Sequence, residues 1–331
     1  MIENPVNADF LGESNRVQFA DRLFLAIRQV GNPVLVGIDP RVEDLPRGFL
    51  DTFPADRRGF AEAIRTFGIG VVDAVAGLAP AVKFQAAFYE MYGPEGCEAL
   101  HATASHAKKR GLVVIMDGKR NDIGSTAEAY AKAYLGKVWV GDHLESSWPA
   151  DALTVNPYLG SDGIDPFVKI ASVENKGVFV LVRTSNPGAG DFQDLIADGK
   201  PVYRHVAEHL GHWAAGHHGQ EGYSLVGAVV GATYPEQLAE LRQMLPGIIF
   251  LVPGFGAQGG TAADVAAAFD ENGLGAVINS SRGLTFAYKR AEFARFGEDW
   301  QGAIQAAVAE MVEELALKTT SGRLRPSKVA D

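Results

Sequence analysis

The sequence predicts an α/β protein: a (β/α)8 TIM barrel with an extra N-terminal helix and a long C-terminal helix. Three observations predict it. Eight short apolar runs alternate with helical patterns at fairly even spacing, with no linker between them. The polar residues that stand out fall at the carboxyl ends of those runs, which a barrel gathers on one face. No Gly-x-Gly-x-x-Gly opens the first strand-to-helix turn, where the runner-up, a doubly wound dinucleotide-binding sheet, needs one; GIG at 68–70 lies inside a helical pattern. Length alone suggests about two domains, but barrels often use such a length as one. The 331 residues are therefore read as a single barrel domain, with a loose leader at 1–14 and a loose tail at 319–331.

The elements follow in order. Phe19, Leu23, Ile27 and Val30 recur at helical spacing, so residues 15–30 read as an amphipathic helix that Gly31 ends. PVLVGID at 33–39 is a buried strand finishing on Asp39. A helical pattern at 59–77 leads to the short strand AVKFQ at 81–85, which carries Lys83. A helix from 94 to 109 precedes the third strand, LVVIMD, and another from 125 to 135 precedes a less regular stretch with Trp139 and Trp148. DALTVN at 151–156 is the fourth strand, and GVFVLVR at 177–183 is the fifth, running into TSNPGAG. After a polar segment and a helix at 202–216 come SLVGAVVGA at 224–232, IIFLVP at 248–253 and GAVINSS at 275–281, then a last helix at 291–317.

Composition removes several classes of function. A net charge of −10 with no basic stripe argues against nucleic-acid binding, though a local pocket can still be positive. The single cysteine, Cys97, allows no intramolecular disulfide and fits a reducing cytoplasm. The amino terminus lacks the basic start and apolar run of a signal peptide. The apolar stretch at 68–82 is broken by Asp73 and Pro80, so no membrane span is expected.

The chain is organised around VVIMDGKRNDIGST, residues 113–126. An apolar run ends in charge, which is costly unless the charges pair or serve a purpose. Asp117 and Lys119 are two apart and share a face if the strand continues; Asp122 lies beyond it. A structural ion pair would account for Asp-x-Lys alone. It accounts poorly for Asp39, Lys83, Asp117, Lys119, Ser185, Gln258 and Arg282 all sharing one topological position. PGFGAQGG after the seventh strand, with Arg282 after the eighth, reads as a phosphate grip, since glycines admit close backbone approach and arginine matches phosphate oxygens.

Taken in chain order, VGIDP, VKFQ, MDGKRNDIGST, TSNPG, PGFGAQGG and NSSRG resemble the orotidine 5′-phosphate decarboxylase family, most closely its longer bacterial subgroup. The resemblance implies decarboxylation of orotidine 5′-phosphate to uridine 5′-monophosphate (UMP) without metal or cofactor, the last step of de novo UMP synthesis. It implies that Lys119 protonates carbon 6, that Asp117 stands beside the departing carboxyl group, and that Lys83 pairs with these acids and reaches the ribose. Asp39 matches a ribose acceptor, Ser185 a reader of the pyrimidine, and Gln258 and Arg282 the phosphate grip. Asp122 and Thr126 match residues that cross a homodimer interface into the neighbour's site. Ser281 departs from the glycine common in shorter members.

The chemistry agrees. Loss of carbon dioxide from carbon 6 leaves an electron pair that the ring carbonyls do not readily delocalise, and no cofactor motif offers an electron sink. A fixed ammonium would meet that charge and quench it. Two other readings compete: a Mg²⁺-dependent sugar-phosphate decarboxylase or aldolase of the same superfamily, and a non-catalytic nucleotide-binding barrel. His205, His209 and His212, with His217 and His218 nearby, are read as a solvated helix face rather than a metal site. Asp142 and His143 are read as packing a loop or an interface.

Overall fold

Eight parallel strands close into a barrel in the computed structural model, which describes residues 17–256 and 259–325. They are β1 (Val34–Ile38), β2 (Ala81–Gln85), β3 (Val113–Arg120), β4 (Ala152–Val155), β5 (Gly177–Arg183), β6 (Val226–Val230), β7 (Phe250–Val252) and β8 (Ala276–Ser280). The order around the barrel is β1-β8-β7-β6-β5-β4-β3-β2, every neighbour parallel. The eight predicted strands are these eight. Parallel strands covered by helices are buried on both faces, so they read as unbroken apolar runs; β1, β4, β6, β7 and β8 are buried at every residue.

The helices longer than one turn among the described residues are α1 (Phe19–Val30), α2 (Arg57–Val75), α3 (Gly93–Lys109), α4 (Gly124–Leu135), α5 (Ser161–Glu174), α6 (Val202–Ala214), α7 (Pro235–Met244) and α8 (Trp300–Lys318). α1 is the extra helix. Its apolar stripe, Phe19, Leu23, Phe24 and Ile27, is buried, and Gly31 at φ 72° caps it in the left-handed conformation. Phe19 meets Phe179 edge-on at 6.0 Å. Its ring also occupies the space that a side chain at Gly177 would need, so α1 packs across the amino-terminal ends of the strands. That leaves the carboxyl-terminal mouth open.

Several expectations need correction. The stretch with Trp139 and Trp148 contains a small antiparallel hairpin, Val138–Val140 with His143–Glu145, while Trp148 stacks on Tyr134 at 5.5 Å. The last helix does not begin at 291: Ala291–Phe296 is a 3-10 segment, Gly297 at φ 57° breaks it, and α8 starts at Trp300. The tail is not loose from 319 onward. Thr320–Leu324 forms a 3-10 turn with Ser321 buried, and Thr320 Oγ1 donates to the Asp270 carbonyl at 2.6 Å. Residues 1–14 and 326–331 lie outside the described residues. No helix among the described residues is long and apolar enough to cross a membrane.

One charged cluster holds the closed end. Asp151, just before β4, is buried; its Oδ1 accepts from Lys108 Nζ at 2.7 Å and from Arg22 of α1 at 3.3 Å, with Lys176 Nζ at 3.6 Å. Its Oδ2 accepts from the Val114 amide at 3.0 Å, so one carboxylate joins α1, α3, β3 and β5. Burial alone would raise the carboxyl pKa, but Lys108, Lys176 and Arg22 outweigh it and hold it at about 2. Because the folded pKa lies below the unfolded value, this stabilisation is present above about pH 4 and is lost as pH falls toward 2. Asp151→Asn leaves three cations facing one another and is expected to cost about 3–5 kcal/mol at neutral pH, read from urea unfolding. A loss under about 1 kcal/mol would remove Asp151 from this role.

Candidate active site

At the open end the barrel holds a cavity of about 510 Å³, well within the range of small-molecule sites. Its wall is divided. Leu181, Val229 and Leu251 line it from β5, β6 and β7, while Asn279, Lys83, Asp117 and Thr154 line it from β8, β2, β3 and β4. Asp39, just past β1, continues the polar side.

Asp117 is its centre. Lys119 Nζ donates to Asp117 Oδ1 at 2.7 Å and Thr154 Oγ1 to the same oxygen at 2.8 Å. Lys83 Nζ donates to Oδ2 at 2.8 Å and Gln85 Nε2 at 3.1 Å. Lys83 also lies 3.8 Å from Asp39 Oδ1. Burial would push the Asp117 carboxyl up, but Lys83 and then Lys119 overcome it and keep the group ionised far below the usual range. Burial would push Lys83 down; Asp117 and Asp39 overcome that and leave its pKa raised. The result is a fixed array of alternating charge at neutral pH.

The backbone departs from regularity where the array is built. β3 pairs with β4 through Ile115↔Ala152 and Met116↔Leu153, and next through Arg120↔Val155. Residues 117–119 thus face only Thr154, a bulge of the kind that re-aims side chains. Within it Lys119 adopts φ 45°, a left-handed conformation costly for a residue with a side chain.

The rim is assembled from neighbouring loops. Arg282 opens a one-turn helix after β8, and among the described residues its guanidinium has no hydrogen-bond or ion-pair partner. Gly37 on β1 faces the interior beside β8: a Cβ there would lie 1.9 Å from Ser281 Oγ and 3.0 Å from Asn279 Oδ1. The missing side chain on β1 is what lets Ser281 and Asn279 enter the cavity. Ser185 after β5 lies against Gly231, and its carbonyl accepts from Thr233 Oγ1 at 3.1 Å. Residues 184–201 form a folded strap anchored by buried Arg183, which donates to Asp194 at 2.9 Å, reaches Gln193 at 3.4 Å and stacks on Tyr234 at 3.7 Å. Gln193 in turn accepts from the Thr184 amide at 2.9 Å and lines the cavity.

With this geometry in place, the comparisons decide the family. The sequence model described as orotidine 5′-phosphate decarboxylase / HUMPS family matches residues 61–296. The chain belongs to that family. A Rhodopirellula baltica protein named orotidine 5′-phosphate decarboxylase is 52% identical over 300 residues, covering 90% of this chain and 98% of the relative. The solved structure of Leishmania donovani OMP decarboxylase matches with a TM-score of 0.70 at 32% identity, over 91% of this chain and 98% of that one. Leishmania donovani UMP synthase matches with a TM-score of 0.71 at 33% identity, over 91% of this chain but 56% of its own, so this chain spans about half of that longer protein.

Of the residues predicted from the sequence, Asp39, Lys83, Asp117, Lys119, Ser185 and Arg282 line one cavity. Asp122 and Thr126 do not: Asp122 Oδ1 accepts from the Ile123 amide at 2.8 Å, and Thr126 lies exposed on α4. Gln258 lies outside the described residues. Three of the histidines come together without forming a ligand set: His209 and His212 meet edge-on at 6.0 Å and line one surface groove with His217. His205 bonds the Ala197 carbonyl, His209 stacks on Trp213, and no group of three or more His, Cys, Asp or Glu among the described residues could hold a metal ion. Missed from the sequence were Thr154, Gln85, Asn279, Gln193 and Arg41, all on the cavity wall. Thr154, Gln85 and Asn279 carried the signal already used for the others, a polar residue near the carboxyl end of an apolar strand.

Gly37→Ala tests the shape of the rim. The added methyl is expected to displace Ser281 and Asn279, lowering kcat/KM for the family's substrate about 10-fold or more, a cost of the order of 1–3 kcal/mol. Adding Ser281→Gly should recover most of it. A Gly37→Ala enzyme with unchanged kcat/KM would show the fit to be unimportant.

Proposed function

We propose that this chain converts orotidine 5′-phosphate to UMP and carbon dioxide at this cavity, as a pyrimidine-biosynthetic carboxy-lyase that needs no metal or organic cofactor. The observation that carries the reading is the Lys119–Asp117–Lys83 array, fixed on one wall and opposed by an apolar wall. The phosphate belongs at Arg282, with Gln258 as its expected second contact. The ribose lies between that rim and β3, over Asp39 and Lys83, and Ser185 on the strap faces the pyrimidine. In the reaction the bond between carbon 6 and the carboxylate breaks, and its electron pair stays on carbon 6. The Lys119 ammonium stabilises that pair and gives it a proton, and the resulting amine recovers one from solvent after carbon dioxide leaves. Asp117 keeps Lys119 charged and aimed, and Lys83 stops Asp117 from taking the proton itself. Phosphate binding far from the reacting carbon supplies energy realised in the transition state.

The site is completed by a second copy of the chain. Asp122 and Thr126 do not line their own cavity, and Asp122 borders an apolar rim in which Ile123 is 53%, Tyr158 82% and Leu159 43% exposed. The Asp122 carbonyl and the Leu159 Cβ crowd the same position over Gly163, so these residues are neighbours. A homodimer burying this rim would carry Asp122 and Thr126 into the partner's site. The enzyme would act in the cytoplasm, in keeping with its one unpaired cysteine.

Two experiments test the reading. Orotate absorbance should fall when purified protein meets orotidine 5′-phosphate, unchanged by excess EDTA. Lys119→Ala should slow this more than about 10³-fold while calorimetry still detects UMP binding. Near-normal turnover in that variant would overturn the role of Lys119, and EDTA-sensitive turnover would point to metal-dependent chemistry. Separately, inactive Lys119→Ala and Asp122→Ala proteins should regain activity on mixing, up to about a quarter of the wild-type sites if subunits exchange statistically. No recovery after demonstrated exchange would count against a shared site.

A further inference from the structure

Thr154 sits directly opposite the bulge in β3, is 1% exposed, and its hydroxyl is used in both directions. It accepts from the Lys119 backbone amide at 3.0 Å and donates to Asp117 Oδ1 at 2.8 Å. The Lys119 ammonium donates to that same Oδ1 at 2.7 Å. The path is therefore a closed ring, from the Lys119 amide through the Thr154 hydroxyl and the Asp117 carboxylate back to the Lys119 ammonium. Both ends of one residue are held by one hydroxyl–carboxylate pair.

We propose that Thr154 is a positioning residue for Lys119. This rests on the decarboxylase reading and deepens it. A lysine has a long side chain with many rotamers, and fixing it costs entropy. Here the ammonium is aimed through Asp117, and the backbone that carries it is in a left-handed conformation that persists only when its surroundings over-determine it. The bulge has removed the ladder partner that the Lys119 amide would otherwise have, and the Thr154 hydroxyl replaces it. The same hydroxyl donates to Oδ1 beside the ammonium, so Asp117 is held in place when Lys119 gives up its proton and becomes an amine. Thr154 neither meets the reacting carbon nor transfers the proton; it acts through Lys119, which does, and through Asp117, which aims Lys119.

The test compares Thr154→Val, which keeps the shape and removes the hydroxyl, with Thr154→Ser, which keeps the hydroxyl. Thr154→Val is expected to lower kcat about 10- to 100-fold, the range for a hydrogen bond to a charged group, with KM changed by less than about threefold. Thr154→Ser should return kcat to within about threefold of wild type. Thr154→Ala removes the hydroxyl without adding volume and reads the same quantity should the valine variant not fold. A kcat within threefold of wild type in Thr154→Val or Thr154→Ala would overturn the proposal. So would a serine variant as slow as the valine one, which would assign the effect to the methyl group's packing. A second readout needs no substrate: exchange of the Lys119 amide with solvent, followed by NMR, should speed up about 10-fold in Thr154→Val and not in Thr154→Ser. An unchanged rate would refute the ring. Failure of the wild type to decarboxylate orotidine 5′-phosphate would reject the decarboxylase reading instead, and amide exchange would still decide the ring.

Discussion

Asp117 stands at the end of four buried apolar residues and is itself 7% exposed, and a carboxylate in that position stays ionised only if donors surround it. Four do, from β2, β3 and β4. Three of the four are themselves constrained: Lys83 is buried between Asp117 and Asp39, Thr154 is locked by the Lys119 amide, and Lys119 sits on strained backbone. The barrel's closure is what lets side chains from three strands converge on one pair of oxygens without a loop among them. A site built on strands holds its geometry better than one built on loops.

The division of the cavity follows from where the polar residues enter. β8 through β4 bring Asn279, Lys83, Asp117 and Thr154, whereas β5 to β7 bring Leu181, Val229 and Leu251. The charges therefore face a low-dielectric surface rather than one another's solvent shells, which strengthens them toward anything that lies between the walls. Asp39 Oδ1 and Asn279 Oδ1 are buried without a hydrogen-bond donor among the described residues. Such orphaned acceptors are a stability cost in an empty cavity and a binding gain in a filled one.

The strands were legible in the sequence because two-sided burial leaves unbroken apolar runs, and a lysine or aspartate at the end of such a run is conspicuous. Asp39, Lys83, Asp117, Lys119 and Arg282 were found that way. Thr154 carried the same positional signal but was passed over, because threonine is an ordinary strand former and ALTV does not show that its hydroxyl has two partners. The bulge was invisible as well. Lys119 takes a left-handed conformation that its residue type disfavours, so local propensity pointed away from the structure just where tertiary contacts impose it. α5 contains Pro166 and α7 begins with Pro235, which obscured both helices in a reading by periodicity. The break at Gly297 was missed for a plainer reason: Phe293, Phe296, Trp300 and Ile304 recur across it at near-helical spacing.

Charge bookkeeping links the array to the rim. The described residues that line the cavity include four cations, Arg41, Lys83, Lys119 and Arg282, and two carboxylates, Asp39 and Asp117. The lysines are matched by the carboxylates within the array. The arginines have no ion-pair partner among the described residues, and Arg41 instead rests over the Phe88 ring at 4.9 Å. On a chain of net charge −10, the cavity is thus a positive island whose excess lies at the rim and not on the floor. An anionic group is drawn to the rim, while the floor presents paired charges whose balance changes only when a proton moves. That separation suits a substrate held by a phosphate at one end and altered at the other. Binding charge and reacting charge are supplied by different residues, so tightening the grip need not quench the lysine that does the chemistry.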